Sequence, residues 1–117
     1  MFLIVSIHFG DEYKTVHNSR QQQLAERAID NGAKVVIGHH PHVSQDTAVY
    51  KNGLIIYSLG NLIFDQKFSE NTMQGMLVKI ILGKDGSIVM QKNTVKLSKV
   101  FQPDQLIKGK EEKIKFE

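Results

Sequence analysis

The sequence predicts an α/β fold, a strand-helix-strand unit followed by antiparallel hairpins, and three observations predict it. Two short apolar runs, Phe2 to Ile7 and Lys34 to Ile37, flank a segment with helical periodicity. Two later pairs of strand-like runs enclose turn signals, Asn52-Gly53 and Lys84-Asp85-Gly86. The 117 residues suffice for one domain, or part of one, with a real core, and 41% hydrophobic with 23% charged residues is a globular composition.

Phe2 to Ile7 is almost continuously apolar, which predicts a strand buried on both faces, as in a parallel sheet, with His8 at its C-terminal end. After a polar loop with Gly10, Asp11 and Glu12, Ser19 and Gln22 have capping-box spacing, and Leu24, Ala25, Ala28 and Ile29 form one apolar helical stripe. Gly32 is expected to end that helix. Lys34 to Ile37 is the second strand, joined to the first by a parallel crossover. Parallel strands end on the same edge of a sheet, so His8 and the segment from His39 to His42 are expected to converge there.

Asp46 to Tyr50 and Leu54 to Tyr57 read as a hairpin around a type I′ turn at Asn52-Gly53. Met73 to Leu82 and Ser87 to Leu97 read as a second hairpin, at the sheet edge or in an adjoining sheet. Beyond residue 97 Pro103 breaks regularity, so residues 98–117 are expected to be a weakly structured basic tail.

Composition excludes several classes of function. Without cysteine there is neither a disulfide framework nor a thiolate metal site, so any metal is held by nitrogen and oxygen. The net charge of +3 arises from lysines interleaved with acids, and no aromatic-lined basic stripe accompanies it, which argues against nucleic acid as a partner. No apolar run is long enough to span a bilayer, and the N-terminus lacks the basic start and cleavage site of a signal peptide. A domain rarely opens inside a buried strand, so a segment upstream of Met1 is expected.

The most chemically specific stretch is Gly38-His39-His40-Pro41-His42. Pro41 disfavours helical geometry at His40, so an extended backbone is expected to place His40 and His42 on one side. Such a pair can grip one metal, or give one imidazole to each of two ions about 3.5–4 Å apart. His8 supplies a third candidate ligand. His39 has three open roles: ligand, proton donor, or hydrogen-bonding support. Asp11 and Glu12 orient a ligand histidine, touch substrate, or simply solvate a loop, and Gly60 either turns Asn61 toward the site or serves turn chemistry alone. His17 is expected to be an exposed loop residue.

Three segments, His8-Phe9-Gly10-Asp11-Glu12-Tyr13, Gly38 to His42, and Tyr57-Ser58-Leu59-Gly60-Asn61, make the chain resemble the poly-γ-glutamate capsule biosynthesis family, CapA or PgsA-like. The resemblance covers about residues 3–97, including Gln23-Leu24-Ala25 and Gly32-Ala33. It implies a calcineurin-like metallophosphoesterase sandwich, of which residues 1–97 would be the C-terminal half. It further implies a centre for two divalent ions, manganese, zinc or iron, with His8 and His40 serving one ion and His42 the other. His39 would be the catalytic group, with Glu12 and Asn61 at the substrate or behind the ligands. The family's other ligands, including a bridging aspartate, lie upstream of the strand matching Phe2 to His8. The expected function is therefore a partial metal-dependent hydrolase of capsule polymer metabolism, weakly active or inactive alone. Its partners would be an anionic polymer or phosphoester, with self-association or an N-terminal half supplied in trans. The family implies the bacterial envelope or exterior, although this chain carries no export signal.

Two other functions compete with it. One is a self-sufficient zinc hydrolase using His8, His40 and His42, with an open position for water. The other is a non-catalytic module for polymer binding or assembly.

Overall fold

A computed structural model describes residues 1–116. Its elements run β1 (Leu3–His8), α1 (Ser19–Asp30), β2 (Ala33–His39), β3 (Thr47–Tyr50), β4 (Gly53–Ile56), a 3₁₀ turn at Asn71–Met73, β5 (Gln74–Leu82), β6 (Ile88–Leu97), β7 (Pro103–Ile107) and β8 (Glu111–Lys113). The α/β class and the strand-helix-strand unit are as the sequence predicts. The first sheet has the order β1-β2-β4-β3, with β1, β2 and β4 parallel and β3 antiparallel to β4. The second sheet is antiparallel, β5-β6-β7, with β8 also paired to β6. Among the described residues no helix is long and apolar enough to cross a membrane.

Two cores follow from the alternation of side chains along the first sheet. Val36, Ile55 and Tyr57 face α1 and meet Ala25 and Ile29. Val35, Leu54 and Ile56 face the second sheet and meet Ile88, Met90 and Ile114. The layers are thus helix, sheet, sheet.

Four sequence expectations need correction. β1 is not buried on both faces: Leu3 is 49% and Ile4 51% exposed. It pairs only with β2, and Val5 and Ile7 pack toward α1 while the inter-sheet core is built on β2 and β4. The helix cap lies one residue earlier than Ser19. Asn18 Oδ1 accepts from the Gln21 N–H at 2.8 Å, and Gln21 Oε1 accepts from the Asn18 N–H at 3.0 Å. Gln21 wins because it is buried, where its Nε2 donates to Gln45 Oε1 at 2.7 Å.

The first hairpin turns at Lys51-Asn52, with Tyr50 opposite Gly53 and Lys51 at φ 50°. Gly53 is a strand residue whose value is its missing side chain, since a Cβ there would stand 2.2 Å from Ile29 Cδ1. Finally, the expected weakly structured tail contains strands β7 and β8, ending with Ile114 in the inter-sheet core. The Ile114 N–H donates to Ile88 O at 2.9 Å. Lysine-rich composition hid an edge strand whose charged side chains face water while one isoleucine turns inward. The last residue of that expected tail, 117, lies outside the described residues.

Candidate metal centre

β1 and β2 are parallel and in register at their C-terminal ends, with His8 directly beside His39. The two histidine segments therefore share one sheet edge. Here β2 stops and the chain folds over β1 and β4, which requires Gly38: a Cβ would lie 2.0 Å from Tyr57 O and 2.5 Å from the Phe9 ring.

The route from His39 to Val43 differs from the expected extended path. His40 has φ 116° and His42 φ 61°, both left-handed, around a fully buried Pro41. Such backbone is unfavourable by about 1–3 kcal/mol per residue and persists where the surroundings enforce it. The enforcing contacts are Pro41 O, which accepts from the Tyr13 N–H at 2.7 Å, and Val43, which is anchored in the interior. The bend brings the rings of His40 and His42 to 5.8 Å between centroids.

Glu12, from the loop after β1, completes a trio. One donor atom each from Glu12, His40 and His42 lie within 4.8 Å of one another. Glu12 is exposed and the two histidines are half-buried.

His8 stands next to this trio and faces other imidazoles. Its ring lies 4.3 Å from that of His40, and its Nδ1 is 3.3 Å from His39 Nδ1. Loss of water, and then the positive charge that His40, His39 and His42 would carry, lower the His8 pKa below 6.5. His39 has partners at both ring nitrogens, since Ser6 Oγ lies 3.2 Å from its Nε2. An apolar cleft of about 380 Å³, lined by Ile37, Ile56, Leu59 and Met76, opens beside His39 between the sheets.

Asn61 is buried and reaches the site, with Oδ1 3.0 Å from His42 Nδ1. Its Nδ2 donates to Thr72 O at 3.0 Å, a carbonyl that can only accept, which fixes the amide orientation. His42 must then carry its proton on Nδ1, leaving Nε2 with a free lone pair.

Asp11 stays apart, accepting from Asn18 Nδ2 at 2.8 Å and so serving the helix start. His17 is not an exposed loop residue. Its ring stacks on Tyr57 at 3.8 Å, and its Nδ1 lies 2.7 Å from Asp46 Oδ2. Stacking on a buried ring and a carboxylate brought by the β3 approach explain why a lone histidine in polar sequence becomes ordered.

Sequence reasoning missed the aromatic rim and one amide. Phe64 lies 4.8 Å from the His42 ring, and Phe68 meets Tyr13 edge-on at 4.9 Å. Gln66 Nε2 donates to Tyr13 Oη at 3.0 Å. Tyr13 carried a signal, its place directly after Glu12, whereas Gln66 carried none.

The family model for the bacterial capsule synthesis protein PGA_cap matches residues 1–66. The chain is 42% identical over 88 residues to the capsule biosynthesis protein CapA of Bacillus anthracis, an alignment covering 75% of this chain and 21% of that protein. It is 44% identical over 85 residues to the PGA biosynthesis protein CapA of Bacillus subtilis (strain 168), covering 73% of this chain and 22% of that one. The chain thus spans about a fifth of the length of these curated relatives. The family model covers more than half of the chain, including every residue from His8 through Gln66 described above, and so the chain belongs to the PGA_cap family of bacterial capsule synthesis proteins.

Proposed function

We propose that this chain provides the histidine-rich wall of a divalent-metal centre in a phosphoesterase-like hydrolase of poly-γ-glutamate capsule biosynthesis, built on half of a calcineurin-like sandwich. The observation that carries this is the convergence of Glu12, His40 and His42 within 4.8 Å. Two imidazoles and a carboxylate suit manganese, zinc or iron. The tautomer of His42, set by Asn61, leaves a nitrogen free to ligate. A bound divalent ion would supply Lewis acidity toward a phosphoryl oxygen and an acidified water at neutral pH.

The chain's own residues divide the remaining work. Glu12, His40 and His42 hold the ion. His8, kept neutral by its lowered pKa, is available beside His40 as a further nitrogen donor. His39 orients His8 through the 3.3 Å contact and is the group placed to move a proton, its own ring held by Ser6. The trio favours a two-histidine, one-carboxylate set over the three-histidine alternative, because Glu12, His40 and His42 offer donor atoms within 4.8 Å of one another and His8 is not among them. One carboxylate does not neutralise two divalent ions, so a dinuclear centre needs further donors, and turnover by this chain alone is expected to be negligible. The modest positive balance of +3 is compatible with an anionic polymer as substrate.

Calorimetric titration with Mn²⁺ and Zn²⁺ tests the site, alongside hydrolysis of an aryl phosphoester. Binding weakened at least about tenfold by Glu12→Gln, His40→Ala or His42→Ala is expected. Absence of binding overturns the metal centre. Brisk metal-dependent turnover that His40→Ala abolishes overturns the incompleteness of the centre.

A further inference from the structure

The turn that carries Glu12 follows β1 at Gly10 and reverses at Tyr13, which has φ 65°. Left-handed backbone at a tyrosine persists only where surrounding contacts enforce it. Two buried glutamines, Gln21 at 1% and Gln45 at 5% exposure, pack against this turn and grip it on both sides of Glu12. On one side Gly10, at φ 96°, sits so close to the Gln21 amide that a Cβ would stand 2.6 Å from its Nε2. On the other, Gln45 Nε2 donates to Lys14 O at 2.8 Å. Between them the Tyr13 N–H donates to Pro41 O at 2.7 Å.

Both glutamine amides have one possible orientation. The Asn18 N–H, which can only donate, is accepted by Gln21 Oε1 at 3.0 Å. Gln21 Nε2 then donates to Gln45 Oε1 at 2.7 Å, and the file ends on Lys14 O, which can only accept. Gln45 is itself tied to the sheet, its backbone N–H donating to Ser58 O at 3.1 Å. It also stands three residues past His42.

We propose that Gln45, oriented by Gln21, is a positioning residue of the metal centre: it clasps the Glu12 turn to the segment that carries His40 and His42, and so sets the separation of the carboxylate from the two imidazoles. The proposal rests on the metal centre proposed above, but its internal geometry is testable without metal. Glu12 is exposed, so the placement of its backbone decides whether its carboxylate reaches the imidazoles. A carboxylate ligates at about 2.0–2.2 Å, and a turn that drifts beyond the reach of the side chain gives up the ligand. Gln45 touches no ion to do this, since its amide is spent on Gln21 and Lys14.

Gln45→Met is the discriminating variant, because it keeps the length of the side chain and removes both its donor and its acceptor. Zinc titration of the full chain should show affinity lowered about tenfold in Gln45→Met. The double variant with Glu12→Gln should bind no more weakly than Glu12→Gln alone, because Gln45 acts only through Glu12. In the metal-free protein the Tyr13 amide should be protected from hydrogen exchange, and in Gln45→Met it should lose more protection than the amides of β2. A merely structural side chain would lower both together. Gln45→Asn, one methylene shorter and still polar, should repeat the pattern, and it decides the matter if Gln45→Met does not fold. Folded variants that bind zinc as the unaltered chain does, or losses that add to that of Glu12→Gln, overturn the clasp. So does a Tyr13 amide whose exchange is unchanged. An unaltered chain that binds no zinc, with the Tyr13 amide still released by Gln45→Met, overturns the metal centre and supports the clasp.

Discussion

Gly38 lies so close beneath Tyr57 that a β-carbon would stand 2.0 Å from the Tyr57 carbonyl oxygen. This contact lets β2 run beside β4 up to the sheet edge, where the histidines begin. Gly38→Ala must push β4 and Phe9 aside, and overpacking of this kind destabilises by about 1–3 kcal/mol. Urea denaturation should show that loss, with metal binding reduced in whatever fraction still folds.

The inter-sheet core depends on the end of the chain. Ile114 is 8% exposed and packs with Ile88 and Met90. Ile114→Ala should lower stability by about 2–4 kcal/mol, the range for a buried isoleucine truncated to alanine. Hydrogen exchange should find the Ile114 amide protected, because it donates to Ile88 O. Rapid exchange there would contradict the assignment of β8.

His17 and Asp46 pin the loop after β1 to the strand region of Tyr57. Asp46 is partly exposed, so solvent screening reduces the pair to a coupling of about 0.5–1 kcal/mol. A double-mutant cycle with His17→Ala and Asp46→Ala should measure it. His17→Ala alone should lose more than Asp46→Ala, because it also removes the stack on Tyr57.

The metal-free protein should lose stability as the solution is acidified through the imidazole range. The pKa of His8 is lowered on folding, first by loss of water and then by His40, His39 and His42. The unfolded chain therefore binds that proton more readily than the folded one, and stability falls as pH drops below about 6.5, the loss growing until the lowered folded value is passed. His8→Asn should flatten this part of the profile. Identical denaturation midpoints for the two proteins at every pH across that range would contradict it.

Metal should stabilise the fold by linkage. Zinc at about one hundred times its dissociation constant should add about 2.7 kcal/mol to the unfolding free energy. His40→Ala should abolish the corresponding rise in melting temperature, and a chelator should reverse it in the unaltered chain.

Local patterns made much of this protein legible. The apolar runs of β1 and β2, the stripe from Leu24 to Ile29, and the second hairpin are all where periodicity places them. Parallel pairing of β1 and β2 followed from the strand-helix-strand order, and with it the meeting of His8 and His39. Boundaries decided by competing partners were less legible. Asn18 displaced Ser19 as the helix cap because Gln21 finds Gln45 in the interior, a residue 24 positions away. Gly53 resembled a turn residue, yet it is a strand residue shaped by Ile29.

By itself the sequence determined the chemistry that is available: nitrogen and oxygen donors, no thiolates, and histidines gathered at the ends of parallel strands. Only the tertiary structure decided which donors share a point. Glu12 joined His40 and His42 because left-handed backbone around Pro41 turned both rings toward the loop after β1. Asn61 supports His42 from another segment, 19 residues further on. Side-chain convergence depends on contacts between segments dozens of residues apart, and no local spacing encodes those.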